Sequence, residues 1–120
     1  MNKSCAPALL ALLVGLAAAA LLIHGPIAQW PSYHDFADRR PWLGLPNAAD
    51  VLSNLPFLLI GLWGWRRARP LPWRVFAVAI AGTAVGSSLY HYAPDNFRLV
   101  FDRLPIAAAC AVLALSLIHI

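Results

Sequence analysis

Four apolar stretches follow one another along the chain, separated by shorter polar ones. They cover about 6–23, 48–65, 75–92 and 104–120. Each is close to the ~20 residues a helix needs to cross ~30 Å of hydrocarbon. Backbone polar groups in lipid must pair within their own segment, so the pattern predicts helices rather than strands. The expected fold class is all-α, a multi-pass transmembrane helical bundle in a single membrane domain. A polar loop over 24–47 joins the first two helices.

The breaking residues fit this layout. Gly25–Pro26 stops the first helix. Pro70 and Pro72 keep the link between the second and third from continuing as helix. Ala93–Pro94–Asp95–Asn96 is a turn signal, and Asp95 or Asn96 can cap the fourth helix. Pro56 predicts a kink in the second helix, and Pro105 fits the first turn of the fourth.

Composition supports the bilayer as solvent. Of 120 residues, 61% are hydrophobic and 12% charged, too few polar groups to coat a soluble domain. The formal charge of +4 comes from arginines set between apolar runs. There they set topology and do not form a nucleic-acid groove. Arg66, Arg67, Arg69 and Arg74 crowd the second link, which the positive-inside rule puts in the cytoplasm together with Lys3. Loop 24–47 and the Pro94 turn then lie outside, with Arg39 and Arg40 a mild violation beside Asp35 and Asp38. Trp30, Trp42, Trp65 and Trp73 fall at the expected boundaries, as an aromatic belt does. Lys3 and the apolar run after it also describe a secretory signal, but the run is long for one, and an uncleaved helix is the preferred reading. Cys5 and Cys110 have no disulfide or thiolate-metal spacing and read as small buried apolar filler.

Polar residues at membrane depth are costly and therefore candidates for function. Ser87 and His91 are four apart and share a helical face. Asp102 lies on the next helix, within ~10 Å of the same surface at ~1.5 Å per residue. The three can converge in a shallow cavity. A nucleophilic serine relay, a metal site with His91 as ligand, and a satisfied interhelical hydrogen-bond network are all open to them. A second cluster, Asp35, Asp38, Asn47 and Asp50, supplies hard oxygens suited to calcium. The simpler reading is a solvated loop with Asn47 and Asp50 as helix caps. Ser53 and Asn54 lie inside the second helix as structural polar groups, and Asn54 needs a partner there. His24 and His34 read as plain surface. His119 is ~25 Å from Asp102 along one helix and cannot join the cluster.

The stretches YHDFADRRPWLGLPNAADVLSNLPFLLIGLWGW and GSSLYHYAPDNFRLVFDRLP resemble bacterial members of the alkaline ceramidase family. That family belongs to a superfamily of membrane hydrolases that includes the progestin and adiponectin receptors. Ser87, His91 and Asp102 match its spacing of a serine, a histidine four residues on and an aspartate eleven after that. The resemblance runs from Tyr33 to about Cys110. It implies a seven-helix fold, of which four helices are present, and an amidase acting on ceramide-like N-acyl lipids of sphingolipid metabolism. It also implies a zinc ion with His91 as one of three histidine ligands, Asp102 as the base holding the zinc-bound water, and Ser87 stabilising the oxyanion. Such chemistry is coherent, because zinc lowers the pKa of bound water towards ~7 and a donor stabilises the tetrahedral intermediate. Calcium held by Asp35, Asp38 and Asp50 is implied too, although Phe36 and Arg40 stand where the family has tryptophan and asparagine.

The departure is the missing HxxxH motif, the source of the other two zinc ligands. The chain ends in LALSLIHI within its fourth apolar stretch. A truncated fragment, inactive by itself, is the expectation; amidase activity of the 120-residue chain on short-chain ceramide refutes it. The resemblance implies a bacterial inner membrane with the site on the outer face and a membrane lipid as substrate. A receptor-like relative without hydrolysis and a structural membrane protein without a site are the alternatives.

Overall fold

The computed structural model describes residues 5–25 and 27–118. Lys3, Pro26 and His119 lie outside the described residues. The fold is all-α, with helices α1 (Cys5–His24), α2 (Ala48–Leu52), α3 (Leu55–Arg67), α4 (Leu71–Tyr92) and α5 (Asn96–Ile118), and a 3-10 turn at Pro31–His34. No β-strand occurs among the described residues. Three helical stretches are long and apolar enough to cross a membrane: Ala48–Arg67, Leu71–Tyr92 and Asn96–Ser116. The protein is therefore compatible with integral membrane insertion. Helix α1 carries a shorter apolar run, Leu12–His24, among residues with described side chains. Those side chains are exposed on every face of the helix.

Helix α4 is the central element, packed between α3 and α5. Its buried residues are small: Ala77, Ala79, Ala84, Gly86 and Ser87, with Tyr90 at the outer end. Large side chains such as Leu59, Ile60, Phe97 and Leu104 point outward. This is the inverse of a soluble bundle. Lipid solvates leucine as well as a protein core does, so helices associate by close backbone approach at small residues. A Cβ on Gly61 would stand 2.5 Å from the backbone nitrogen of Ala81, so only glycine permits the α3–α4 crossing. Gly86 plays the same part against α5.

The proline readings change in detail. The second stretch is not one kinked helix. It breaks at Ser53–Asn54, and Pro56 opens α3 rather than bending it. Pro56 has no N–H to give to Leu52, so the ladder is interrupted one turn earlier. The Asn54 amide turns to the Val51 carbonyl. The Asp50 carbonyl is then taken by Ser53 Oγ at 2.8 Å and Asn54 Nδ2 at 3.0 Å. Pro72 begins α4 at its first turn.

Helix α5 starts eight residues earlier than its apolar run, at Asn96, because Asp95 caps it. Asp95 Oδ1 accepts the Arg98 amide at 2.7 Å, and its carboxylate pairs with the Arg98 guanidinium. That amide bond, with Arg98, holds the Asp95 carboxyl below its usual range. Pro105 consequently sits inside α5, not in its first turn. Cys110 is exposed on α5 rather than buried. In a lipid-facing position an apolar thiol side chain needs no protein cover.

Candidate functional site

Two ends of the molecule differ in kind. At one end four arginines crowd the last turn of α3, the link and the first turn of α4: Arg66, Arg67, Arg69 and Arg74. At the other, the α4–α5 turn meets the loop that follows α1, and this end gathers the polar side chains.

The α4–α5 contact fixes their level. Pro105 cannot donate to the Phe101 carbonyl four residues back. Gly86 lies against that carbonyl: a Cβ there would stand 1.9 Å from the Phe101 oxygen and 3.1 Å from the Asp102 nitrogen. Ser87, the next residue, and Asp102 are both buried, with 7% and 8% of their surfaces exposed. The side chains of Ser87 and Asp102 thus belong to one level of the helix pair. His91 lies one turn further along α4.

The three do not form a satisfied network. Among the described residues no hydrogen bond joins Ser87, His91 and Asp102. Nδ1 of His91 is buried without a hydrogen-bond partner. A buried polar atom of this kind costs about 1–3 kcal/mol. Asp102 has Arg103 as a loose neighbour, with Nε 3.5 Å from Oδ2.

The loop over 27–47 closes this end, and most of that closure was not legible in the sequence. Phe36 packs over the His91 imidazole with ring centroids 4.6 Å apart, and edge-on to Tyr90 at 5.6 Å. Asn47 Nδ2 donates to the His91 carbonyl at 2.7 Å. Asn47 occupies the N-cap position of α2 but makes no side-chain cap there; it is spent instead on one of the carbonyls that the end of α4 leaves open. Arg98 donates to a second such group, the Ala93 carbonyl, at 3.1 Å. Arg103 reaches the Tyr33 hydroxyl, and the Gln29 backbone N–H donates to Asn96 Oδ1 at 2.8 Å.

His34 corrects the expectation of a plain surface histidine. It is half-buried, with Nδ1 2.9 Å from the Tyr90 hydroxyl, and its Nε2 is buried without a partner. The contact spans 56 positions, so no local pattern announces it. His24 is exposed, as expected.

Two carboxylates of the second cluster, Asp35 and Asp38, are taken up by the chain's own cations. Asp35 pairs with Arg39 at 2.6 Å. Asp38 accepts hydrogen bonds from Arg40 Nε and Nη2, each at 2.8 Å, and from the Arg40 backbone amide at 3.0 Å. Asp50 lies within the first turn of α2, not at its cap, and its carbonyl serves Ser53 and Asn54. Ser53 is exposed and Asn54 buried. Asn54 thus finds the partner it needed within one turn.

The Arg40 hydrogen bonds pull the Asp38 carboxyl down to about 2 and push the Arg40 guanidinium up. A lowered carboxylate stabilises its loop above the ordinary value of 3.8 and loses that contribution as pH falls through about 2. A carboxyl NMR titration will show Asp38 still ionised at pH 3. An ordinary midpoint there would remove the Asp38–Arg40 pair from solution.

The fit to metals is decided by these contacts. No three His, Cys, Asp or Glu side chains among the described residues gather closely enough to hold an ion. The unpartnered His91 Nδ1 suits one zinc ligand, but these residues do not make a zinc site by themselves. Asp35 and Asp38 carry arginine partners where calcium would need free oxygens. No family model matches the chain, and no similar protein was found among curated proteins or solved structures.

Proposed function

We propose that the chain carries part of the site of a membrane amide hydrolase that acts on ceramide-like N-acyl lipids, with zinc as the metal His91 would hold. The observation that carries this reading is the buried, unpartnered His91 nitrogen, one turn from buried Ser87 and beside the helix that bears buried Asp102. A purely structural cluster in lipid would satisfy its own polar atoms, because nothing else there can. An amphiphile with its amide at the interface suits a site near one membrane face under an aromatic cover. A bacterial inner membrane, with this face outward, fits the arginine-rich link at the other end.

Within this reading Asp102 orients a water and accepts its proton. The Ser87 hydroxyl donates a hydrogen bond to the amide oxygen as charge develops on it. Two further imidazoles would have to join His91 around the metal. Calcium at Asp35, Asp38 and Asp50 would first require Arg39 and Arg40 to release their carboxylates.

Metal analysis of the full gene product, purified from membranes, tests the reading. About one zinc per chain is expected. His91→Ala is expected to weaken zinc retention by at least about tenfold, the lower end for loss of a group that supports a metal site. Equal zinc in both proteins overturns His91 as a ligand.

A further inference from the structure

The arginine-rich end holds a second feature, unconnected with the polar cluster. An open groove of about 540 Å³ lies between the end of α3 and the start of α4. Its floor is apolar, with Gly64, Ala77 and Ile80, and its rim carries Arg67 and Arg69. Trp63 and Trp73 line its sides and stay well exposed. It lies ~30 Å from His91, at ~1.5 Å for each of the twenty residues between Leu71 and His91.

The charge around it is one-sided. No acidic residue occurs between Val51 and Pro94. Among the described residues Arg66, Arg67, Arg69 and Arg74 make no ion pair. Two of them rest on rings instead: Arg67 lies 5.9 Å from the Trp63 centroid and Arg74 lies 4.2 Å from that of Trp65. These contacts hold guanidinium groups at the helix ends without neutralising them. The extended backbone at Ala68 (φ −68°, ψ 128°) ends α3 and opens the link beside the groove.

We infer that this groove binds one anionic phospholipid, with its phosphate between Arg67 and Arg69 and an acyl chain along the apolar floor. Guanidinium groups suit phosphate oxygens because their planar fork donates two hydrogen bonds at once. Basic pockets between helices at the cytoplasmic face are recurrent headgroup sites. The helices meet at Gly64 and Ala77, so an acyl chain lies along this apolar floor and does not enter the crossing. Topology alone explains four arginines at this end of α3 and α4. It does not explain a groove beneath them.

Native mass spectrometry of the full chain, released from bilayers of equal phosphatidylglycerol and phosphatidylcholine, tests this. The expected result is a single retained phosphatidylglycerol per chain, favoured over phosphatidylcholine by about fivefold or more, the size of one basic residue's attraction to an anionic surface. The double variant R67Q/R69Q loses the preference. Ala68→Phe fills the groove and keeps every arginine, and it loses retention too. Circular dichroism checks that each variant folds. If Ala68→Phe does not fold, single-lipid stoichiometry in the wild type and its loss in R67Q/R69Q decide the matter. A wild type without preference, a broad spread of bound lipids, or a folded Ala68→Phe that retains lipid as well as wild type overturns the site.

Discussion

Replacing Gly86 by alanine is expected to separate α4 from α5 and to cost the protein about 3 kcal/mol, the upper part of the range for overpacking a close contact. The added Cβ would stand 1.9 Å from the Phe101 oxygen and 2.6 Å from its carbonyl carbon. Both obstacles are backbone, so no side chain can swing away. Pro105 has removed the helical donor to that carbonyl, and Gly86 is what packs against it. Alanine normally favours a helix over glycine by up to ~1 kcal/mol, and here the overlap outweighs that gain. Gly82 provides the control on the same helix. A Cβ there meets Pro105 Cβ at 3.4 Å, an ordinary contact. Gly82→Ala is expected to change stability by less than about 1 kcal/mol. Reversible unfolding in mixed micelles measures both. Equal stability of Gly86→Ala and wild type would mean that the two helices cross at a greater separation.

The second large effect concerns Asp102. Asp102→Asn keeps the shape and removes the base. On the proposed function, kcat/KM for an N-acyl lipid is expected to fall by at least about 100-fold in the full gene product, the lower end for loss of a positioned acid or base. Zinc content and unfolding midpoint are expected to stay close to wild type, because Asp102 is not assigned as a ligand and its neighbouring cation, Arg103, is more than half exposed. The combination matters. A fall in activity together with lost stability would mark Asp102 as a packing residue. Activity within about threefold of wild type would move the base elsewhere and leave the buried carboxylate unexplained.

The deeper contrast lies between the two acidic groups. Asp35 and Asp38 sit on a surface loop and have taken arginine partners a few residues away. Such exposed pairs contribute little to stability, because solvent screens the attraction and holding two side chains together costs entropy. Asp102 lies at helix depth, where the same pairing would be worth more, yet Arg103 approaches it only to 3.5 Å. The buried ring nitrogens of His34 and His91 are therefore the side-chain atoms left without a partner among the described residues, the buried carboxylate has a loose one, and the Asp35 and Asp38 carboxylates are paired.

Local signals determined much of the fold. Apolar length identified the membrane-compatible helices, because the bilayer imposes a length that needs no knowledge of neighbours. The Asp95 cap and the proline breaks could also be read locally, since a cap or a missing N–H acts within one turn. Even there, apolarity misplaced the start of α5. Residues 96–103 are mixed in polarity, and helix is set by hydrogen bonding and capping rather than by grease. Ser87, His91 and Asp102 stood out in the sequence as polar groups in apolar surroundings, and Ser87 and Asp102 are indeed buried.

Only the tertiary structure decided who meets whom. It turned Asn47 from a helix cap into a donor to the His91 carbonyl, drew His34 onto Tyr90, and laid Phe36 over His91. It placed Gly86 on the carbonyl that Pro105 leaves free. These contacts join residues far beyond one helical turn in sequence, 56 positions apart for His34 and Tyr90. Their energy depends on distances of a few ångström between helices, and sequence periodicity records which face a residue occupies but not which partner arrives there.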